Sequence, residues 1–348
     1  MGVVNQRIIV TTKQSVIKKK SIGYMVVPDL RDTHTLLNHA ALAAKAGFSV
    51  IWVPDHFHPW FHTGAFEANS WIWLSTAMDR IKTVPFASGV TVPILRYHPG
   101  IVAQAFATLE VMHGPRIILG VGSGEALNEI PLGFEYPPLP ERIDRMVEAI
   151  TVMRKLGTEE FVDFKGKYYT LKKANLYMKS SVPIYISALG PKTAKIAGKI
   201  GDGFITFPTP MDRLKNVIFP KIREGAQSVG RSFDDITKVL ELDVSLDQDY
   251  QKALDALRPQ KPTLVPNIFN TNEYDPRKLE ERGKAEVSDE DLAKAFIVGT
   301  TVDDHIARIE EAFDAGFDHV FVSSNSPDEE RFIDEYKNKV IPYFENRS

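Results

Sequence analysis

The chain has 348 residues, a length common for one elaborated α/β barrel, and its 43% hydrophobic and 25% charged residues are typical of a globular protein. Its net charge of −3 gives no reason to expect nucleic acid or an anionic membrane as a partner. The lack of cysteine excludes disulfides, thiolate nucleophiles and thiolate metal ligands. The lack of cysteine also leaves the redox compartment undecided, with the cytoplasm as the default. No apolar run approaches the roughly 18 residues of a membrane span. We expect a small-molecule substrate and no metal.

The first twenty residues carry several basic side chains but no apolar segment as long as that of a signal peptide. We therefore predict a basic N-terminal extension over residues 1–20, followed by a single folded domain over residues 21–348. The basic residues of this extension are Arg7, Lys13, Lys18, Lys19 and Lys20.

Two distant stretches, residues 46–53 and 315–322, share one pattern. Each begins at the end of an amphipathic helix, continues through a glycine (Gly47 or Gly316) and ends in an apolar strand. Glycine is the usual left-handed cap at a helix end. A recurring helix, glycine and strand is typical of a repeating β/α unit.

Apolar segments of strand length alternate with amphipathic helices along the whole chain, which predicts roughly eight parallel strands. A (β/α)8 barrel and a doubly wound sheet both fit this alternation, and the absence of a dinucleotide-binding glycine motif favours the barrel. Insertions are expected near residues 157–180, with a hairpin at residues 164–169, and near residues 260–285, which are irregular and proline-containing. The predicted strands are residues 21–27, 50–53, 83–93, 116–121, 182–187, 203–206, 239–245, 296–299 and 320–322.

The strand at residues 50–53 is followed directly by Asp55 and His56, with Trp60 close behind. In α/β barrels the chemistry takes place at the carboxyl ends of the strands, so this segment predicts catalytic side chains. The structural alternative is that Asp55 caps a turn and His56 is an ordinary loop histidine. The other strand ends favour the functional interpretation.

A second candidate segment, residues 122–129, follows the strand at residues 116–121. Gly122 and Gly124 allow the backbone to approach a planar or anionic ligand closely. Glu125 would face the same opening as His56, so the two are a candidate acid/base pair. The alternative is a loop that enters a helix whose first turn carries a glutamate.

A third segment, residues 187–193, contains a glycine turn and a helix that starts at Pro191. Free backbone N–H groups at such a helix start bind anions, and Lys192 adds a positive charge, which predicts a phosphate ligand. The alternative is that the Gly-Pro pair only starts a helix. Near a fourth strand, Gly89 predicts a bulge, and Arg96 and His98 are expected to be structural.

Several motifs together resemble the coenzyme F420-dependent dehydrogenases of the bacterial-luciferase-like barrel superfamily, including the glucose-6-phosphate and the secondary alcohol dehydrogenases. The resemblance extends from about residue 21 to the end of the chain. It implies a luciferase-like (β/α)8 TIM barrel, coenzyme F420 as cofactor, and a homodimer. The motifs are Asp55-His56-Phe57-x-Pro59-Trp60, residues 102–108, residues 122–129 and Gly201-Asp202-Gly203-Phe204.

The resemblance also implies catalytic roles. His56 would accept the hydroxyl proton of the substrate while the carbinol carbon transfers hydride to C5 of the deazaflavin. Trp60 would orient His56 or the substrate oxygen, and Glu125 would manage the proton at the cofactor ring. Asp55 would contact the edge of that ring.

Further positions are implied to hold the cofactor. Gly89 and Val90 would form the non-proline cis peptide that backs the ring in this family. Other residues would line the ring or receive the phosphate arm: Val92, Ser123, Gly124 and Asn128, and then Leu189, Gly190, Lys192 and Thr193.

The chain departs from the sugar-phosphate enzymes where those enzymes hold the substrate phosphate. Their threonine corresponds to Phe207 and their arginine to Ala295, and their two lysines fall near residues 208–210 and 267–269. A phosphate left without cations in a partly dry pocket is costly. We therefore predict a secondary alcohol as substrate, in a pocket that includes Asp29 (a glutamate in relatives), Trp71, Phe207 and Phe269.

Three alternatives remain open from the sequence. Lys261 and Lys294 could still hold a sugar phosphate. An FMN-dependent monooxygenase can be built on the same barrel, although the Asp-His-Phe-x-Pro-Trp motif argues against it. A barrel that binds a ligand without turnover is disfavoured because both His56 and Glu125 are present.

Overall fold

The structure, a computed structural model, describes residues 16–180, 182–207 and 209–347. Most of the predicted basic extension therefore lies outside the described residues. Ile17, near its end, is buried against side chains of the barrel interior, so the packed domain includes residues before position 21.

Strands and helices alternate along the described residues as the repeated pattern predicts. None of the helices in these ranges combines the length and the apolar character that a membrane span requires. The strands are β1 (Ser21–Met25), β2 (Ile51–Val53), β3 (Phe86–Thr91), β4 (Ile117–Val121), β5 (Val162–Lys165), β6 (Thr170–Ala174), β7 (Ile184–Ser187), β8 (Gly203–Thr206), β9 (Thr237–Leu246), β10 (Ile297–Gly299) and β11 (His319–Ser324). The helices are α1 (Thr33–Ala46), α2 (Ser70–Arg80), α3 (Pro99–His113), α4 (Ala126–Glu129), α5 (Leu139–Thr158), α6 (Pro191–Ile200), α7 (Met211–Arg213), α8 (Phe219–Gln227), α9 (Tyr250–Leu257), α10 (Pro276–Glu286), α11 (Asp289–Ala295), α12 (Asp303–Ala315), α13 (Glu329–Glu335) and α14 (Ile341–Glu345).

Eight parallel strands close into a ring in the order β1, β2, β3, β4, β7, β8, β9 and β11. The pairing of β8 with β9 and of β11 with β1 completes the circle, which confirms the predicted (β/α)8 barrel. The expectation that residues 296–299 belong to the ring is wrong. Among the described strands, β10 pairs only with the end of β9, outside the circle.

The repeated helix–glycine–strand unit is confirmed at both of its positions. Gly47 and Gly316 adopt φ angles of 101° and 106°, and the N–H of each donates to carbonyls of the preceding helix turn. A side chain would be strained in this left-handed region, so glycine ends α1 and α12 and the chain turns directly into β2 and β11.

Regular secondary structure occurs in both segments where insertions are expected. Residues 162–174 form the antiparallel hairpin β5–β6, whose turn is held by the Glu148 carboxylate through the backbone N–H groups of Lys167, Tyr168 and Tyr169. The second insertion is less irregular than expected, because Asp275 caps α10 and proline occupies its first position, where no N–H is needed.

The amino half of the barrel interior is filled with side chains. Trp52 stacks on Phe321 with ring centroids 4.5 Å apart, and its Nε1 lies 3.1 Å from Nε2 of His319. A Cβ on Gly23 would lie 2.6 Å from the same His319 nitrogen, so β1 requires glycine there. Burial lowers the pKa of His319 to about 3, so its ring is neutral. Open space is left at the carboxyl ends of the strands.

An ion network ties together the loops that follow β2, β3 and β4. The Arg96 guanidinium lies 3.2 Å from Asp55 Oδ1 and 3.9 Å from Glu129 Oε1, and Thr91 Oγ1 donates to Asp55 Oδ2 over 2.7 Å. The three charged side chains are at most 3% exposed. Burial raises the pKa of both carboxyl groups, and the charge of Arg96 opposes that rise.

We expect Arg96→Met to destabilise the protein by about 3–5 kcal/mol, because it leaves two buried carboxyl groups without their cation. Urea denaturation followed by tryptophan fluorescence measures this loss. The control is Arg308→Met, which removes a surface ion pair with Glu311 and should change stability by less than about 1 kcal/mol. Equal small effects for both variants would contradict the structural role of Arg96.

Candidate active site

Two adjoining cavities open at the carboxyl ends of the barrel strands. The first cavity has a volume of about 410 Å³ and the second about 510 Å³. Glu125, Leu189, Phe207 and Phe269 line both, so the two spaces meet along this shared wall. A long ligand could occupy the second cavity with one part and reach the first with its end.

His56, which follows β2, lies in the wall of the first cavity between two carboxylates. Its Nδ1 is 3.8 Å from Asp29 Oδ1 and 3.9 Å from Glu67 Oε2. Neither Nδ1 nor this Glu67 oxygen has a hydrogen-bond partner within the described residues, although both atoms are buried. One ligand-type atom from each of the three residues lies within 4.8 Å of the others. The cluster is therefore compact but incompletely paired.

The charges around His56 decide its protonation. Burial on its own would lower the pKa of His56, but Asp29, Glu67 and Glu125 outweigh burial and raise that pKa to about 9. Burial raises the pKa of Glu67, and the Asp29 charge raises it further, while the charge of His56 opposes. At neutral pH the ligand-free site therefore holds His56 as a proton donor.

Trp60 closes one side of this cluster. Its backbone N–H donates to Asp29 Oδ2 over 3.0 Å, and its ring meets His56 edge to face with centroids 6.2 Å apart. Phe269 packs against the other side of Trp60, and Phe207 stacks on Phe269 with ring centroids 6.0 Å apart. This aromatic wall connects the His56 cluster to the boundary with the second cavity.

The loop after β4 contributes Glu125 to both cavities, as its position predicts. Glu125 Oε2 accepts a hydrogen bond of 2.9 Å from Asn128 Nδ2, while Asn128 Oδ1 accepts from the backbone N–H of Phe57. Asn128 thus fixes the Glu125 carboxylate and links it to the His56 loop. Gly122 is required here because a Cβ would lie 2.7 Å from Val90 Cγ2.

The second cavity has the features of a phosphate site. Helix α6 begins at Pro191, its N-cap Gly190 offers no side-chain hydrogen bond, and Gly190, Lys192 and Thr193 line the space. A Cβ added to Gly190 would meet nothing within 4 Å, so the backbone faces open space. These groups fit an anion at a helix start. Ser123, Gly124 and Val90 line the opposite wall.

Arg142, which the sequence reasoning missed, also lines the second cavity. Its guanidinium is buried and donates to the carbonyl oxygens of Gly124 (2.8 Å), Pro137 (3.1 Å) and Phe269 (3.2 Å). These acceptors carry no charge, so a buried cation at the cavity wall is left without neutralisation by them. This arrangement suits an anionic ligand. Arg142 was missed because an arginine in the first turns of a long helix belongs to no recognisable sequence motif.

Four predicted site residues are not among those that line the two cavities. Asp55 is buried in the Arg96 network, and Asn128 acts through Glu125. Val92 lies under the glycine loop, where Gly124 approaches it closely. Trp71 stacks on Tyr97 with centroids 4.2 Å apart, because α2 directs its ring toward α3.

The implied cis peptide is present between Gly89 and Val90.

The positions that differ from the sugar-phosphate enzymes do reach the first cavity. Phe207 and Ala295 line it, whereas Lys261 and Lys294 pair with Asp289 and Glu290, each over 2.8 Å. Arg213, which the sequence reasoning did not consider, lines the same cavity from its exposed rim.

Two carboxylates on β9 also line the first cavity and were missed. Glu241 is buried and Asp243 is half-buried. Strand β9 is apolar at the alternate positions, Leu240, Leu242 and Val244, which are buried in the core outside the ring. Two acidic residues at alternate positions of an otherwise apolar barrel strand could have predicted, from the sequence, that one face of β9 borders a polar space.

Known proteins resemble this chain over nearly its whole length. Residues 10–319 match the family model described as luciferase-like monooxygenase. F420-dependent glucose-6-phosphate dehydrogenases of Microbacterium testaceum and Amycolatopsis mediterranei are each 36% identical to the chain. The matches cover 93% and 92% of this chain and 97% of each relative.

Solved structures agree with these relatives. An F420-dependent secondary alcohol dehydrogenase in complex with an F420-acetone adduct is 40% identical with a TM-score of 0.91, over 94% of this chain and 99% of that chain. The F420-dependent tetrahydromethanopterin reductase of Methanopyrus kandleri is 26% identical with a TM-score of 0.75, over 93% and 99%. The chain belongs to the luciferase-like family and, within it, to the coenzyme F420-dependent dehydrogenases.

Proposed function

We propose that the protein oxidises a secondary alcohol to a ketone with coenzyme F420. The observation that carries this proposal is the position of His56, a buried histidine between two carboxylates, in a cavity that shares a wall with a second cavity at the start of α6. Once its ring is neutral, His56 offers a proton acceptor next to a substrate in the first cavity, and the second cavity holds the arm of a phosphorylated cofactor. The relative of known structure that contains an F420-acetone adduct supports the substrate class.

The residues of the chain position the proton transfer. Because Nδ1 of His56 faces Asp29 and Glu67, Nε2 is left to accept the proton of the substrate hydroxyl. When bound, F420 supplies the hydride acceptor, C5 of its deazaflavin ring. Trp60 limits the rotation of the imidazole, and Glu125 lies where the two cavities meet.

The second cavity would hold the phosphate arm of F420. The start of α6 supplies backbone N–H groups, and Lys192 and Arg142 supply positive charge. Gly89 lines the first cavity and Val90 the second, so the strand β3 borders the region between them. Leu189 and Ser123 complete the walls around this arm.

A second candidate is oxidation of a sugar phosphate, as in the named relatives. One observation favours it: Arg213 lines the first cavity and could meet a phosphate at the rim. Phe207 and Ala295 weaken it, because they place no charge at two of the positions that hold the phosphate in those enzymes. Homodimer assembly and a cytoplasmic location stay predictions.

We expect isopropanol, and not glucose 6-phosphate, to reduce F420 in the presence of the purified protein, seen as loss of the deazaflavin absorbance. His56→Ala should lower kcat about 10²–10⁴-fold, because the general base is lost. His58→Ala is the matched control in the same loop, since His58 stacks on Phe57, lies 3.2 Å from the Tyr274 carbonyl oxygen and is not among the residues that line the two cavities. Turnover of glucose 6-phosphate alone would favour the second candidate, and a fully active His56→Ala would remove His56 as the base.

The pH dependence should follow His56. Because its pKa is raised to about 9, kcat/KM for alcohol oxidation should rise with pH until the ring is neutral. Glu67→Gln removes a carboxylate that stabilises the charged ring, so the rising limb should move to lower pH. Glu280→Gln is the control, because Glu280 holds the same loop through the backbone of His62 and Thr63. If the rising limb of the kcat/KM profile lies at the same pH in Glu67→Gln as in the wild type, Glu67 does not act on His56.

Removal of the Lys192 charge should weaken F420 binding. We expect Lys192→Ala to raise the Kd about tenfold at low salt, the loss of one charge-assisted hydrogen bond, and less at high salt. Titration of F420 followed by protein fluorescence measures this change. Lys199→Ala, near the other end of α6, is the matched control. Equal Kd values for both variants would place the phosphate arm elsewhere.

A further inference from the structure

The inner face of β9 changes from apolar to acidic along the length of the strand. Side chains at alternate positions of a strand share one face, and here these are Val239, Glu241 and Asp243. Val239 lies with Trp52 and Phe321 in the apolar plug that fills the amino half of the barrel. Glu241 and Asp243 come next and line the first cavity, so they form its floor on this side.

Barrel interiors are normally filled with branched apolar residues, and a buried carboxylate without a partner is costly. Glu241 is only 6% exposed, and the side-chain hydrogen bonds of the described residues include none to its carboxylate. Burial raises its pKa, and the Asp243 charge raises it further. Burial raises the pKa of Asp243 to about 6, and the polar side chains of Ser323 and Asn325 beside it oppose that rise. The floor thus presents hydrogen-bonding capacity that the protein does not use.

The floor lies on the substrate side of the cavity. In the ring of eight strands β9 is four strands away from β3, and therefore opposite to it. Gly89 of β3 lines the cavity from that opposite wall, where the deazaflavin would rest, and the arm cavity adjoins β4 and β7. A ligand between the cofactor ring and β9 would meet Glu241 and Asp243.

The chemistry of the floor selects the kind of substrate. Both carboxyl groups accept hydrogen bonds from hydroxyl groups, and the charge of Asp243 repels anions, so no phosphate belongs there. A simple alcohol has one hydroxyl, which His56 engages, and would leave the floor unsatisfied. A permanent cation would be placed in the same cavity as Arg213, whose positive charge lies at the rim. Additional hydroxyl groups satisfy the floor without either conflict.

We infer that the alcohol substrate is a neutral polyol, whose hydroxyl groups beyond the reacting one donate hydrogen bonds to Glu241 and Asp243. This inference rests on the proposed function, since it names the substrate class of the same site. It makes the two carboxylates specificity-determining residues and leaves the chemical step to His56. A substrate that lacks the additional hydroxyls leaves buried acceptors unpaired, which is a strong basis for discrimination.

The test compares alcohols that differ by hydroxyl groups: 2-butanol, 2,3-butanediol and meso-erythritol. With F420 present, we expect kcat/KM for the diol and the tetrol to exceed that for 2-butanol at least tenfold. Glu241→Met keeps the approximate volume but removes the acceptor, so it should lower kcat/KM for the diol and the tetrol to the value for 2-butanol and thereby abolish this preference. Glu290→Gln, an exposed acid on α11, is the control and should behave as wild type.

Calorimetric binding of the same alcohols to the protein–F420 complex separates this inference from the proposed function. Tighter, Glu241-dependent binding of meso-erythritol without turnover of any alcohol would refute the oxidation and support the polyol floor. Turnover or binding of 2-butanol equal to that of the polyols would overturn the inference. It would also be overturned if Glu241→Met weakened F420 binding and kept the polyol preference, because the floor would then serve the cofactor. Thermal unfolding of each variant confirms that it is folded.

Discussion

One buried cation holds the loops on which the site depends. Arg96, from the loop after β3, reaches Asp55 after β2 and Glu129 after β4, and all three charges are nearly free of solvent. The next residue after Asp55 is His56, and Glu125 directly precedes the short helix α4, which ends at Glu129. The ion network therefore fixes the positions from which the side chains of His56 and Glu125 extend. The distance between these two side chains is set by the network and not by either loop alone.

Several carboxylates surround His56 in the first cavity, and their charges determine its protonation. Asp29, Glu67 and Glu125 together overcome the burial of His56 and keep a proton on its ring at neutral pH. A charged imidazole is suited to give a proton to a ketone, and a neutral one to take a proton from an alcohol. The same residues thus serve both directions of one redox reaction, and the pH of the surroundings selects which direction they assist.

The repeated helix–glycine–strand units predicted the barrel, because glycine caps and apolar strands are local properties of the sequence. His56, Glu125 and the start of α6 were also predictable, since each follows directly on a strand. Glu67 and Arg142 were not, because they reach the site from a long loop and from a helix flank through tertiary packing. Asp55 and Trp71 show the converse: local position suggested the cavity, but an ion pair with Arg96 and a stack on Tyr97 hold them elsewhere.

The second insertion, near residues 260–285, covers the first cavity and also holds the loop that bears His56. Phe269 packs on Trp60 within the cavity wall, and Glu280 of α10 binds the backbone of His62 and Thr63. A change of sequence in this insertion therefore reshapes the substrate space and shifts the catalytic loop in one step. In the divergence of such enzymes, selectivity and rate would be inherited as a single trait, and a graft of the insertion between relatives would transfer both.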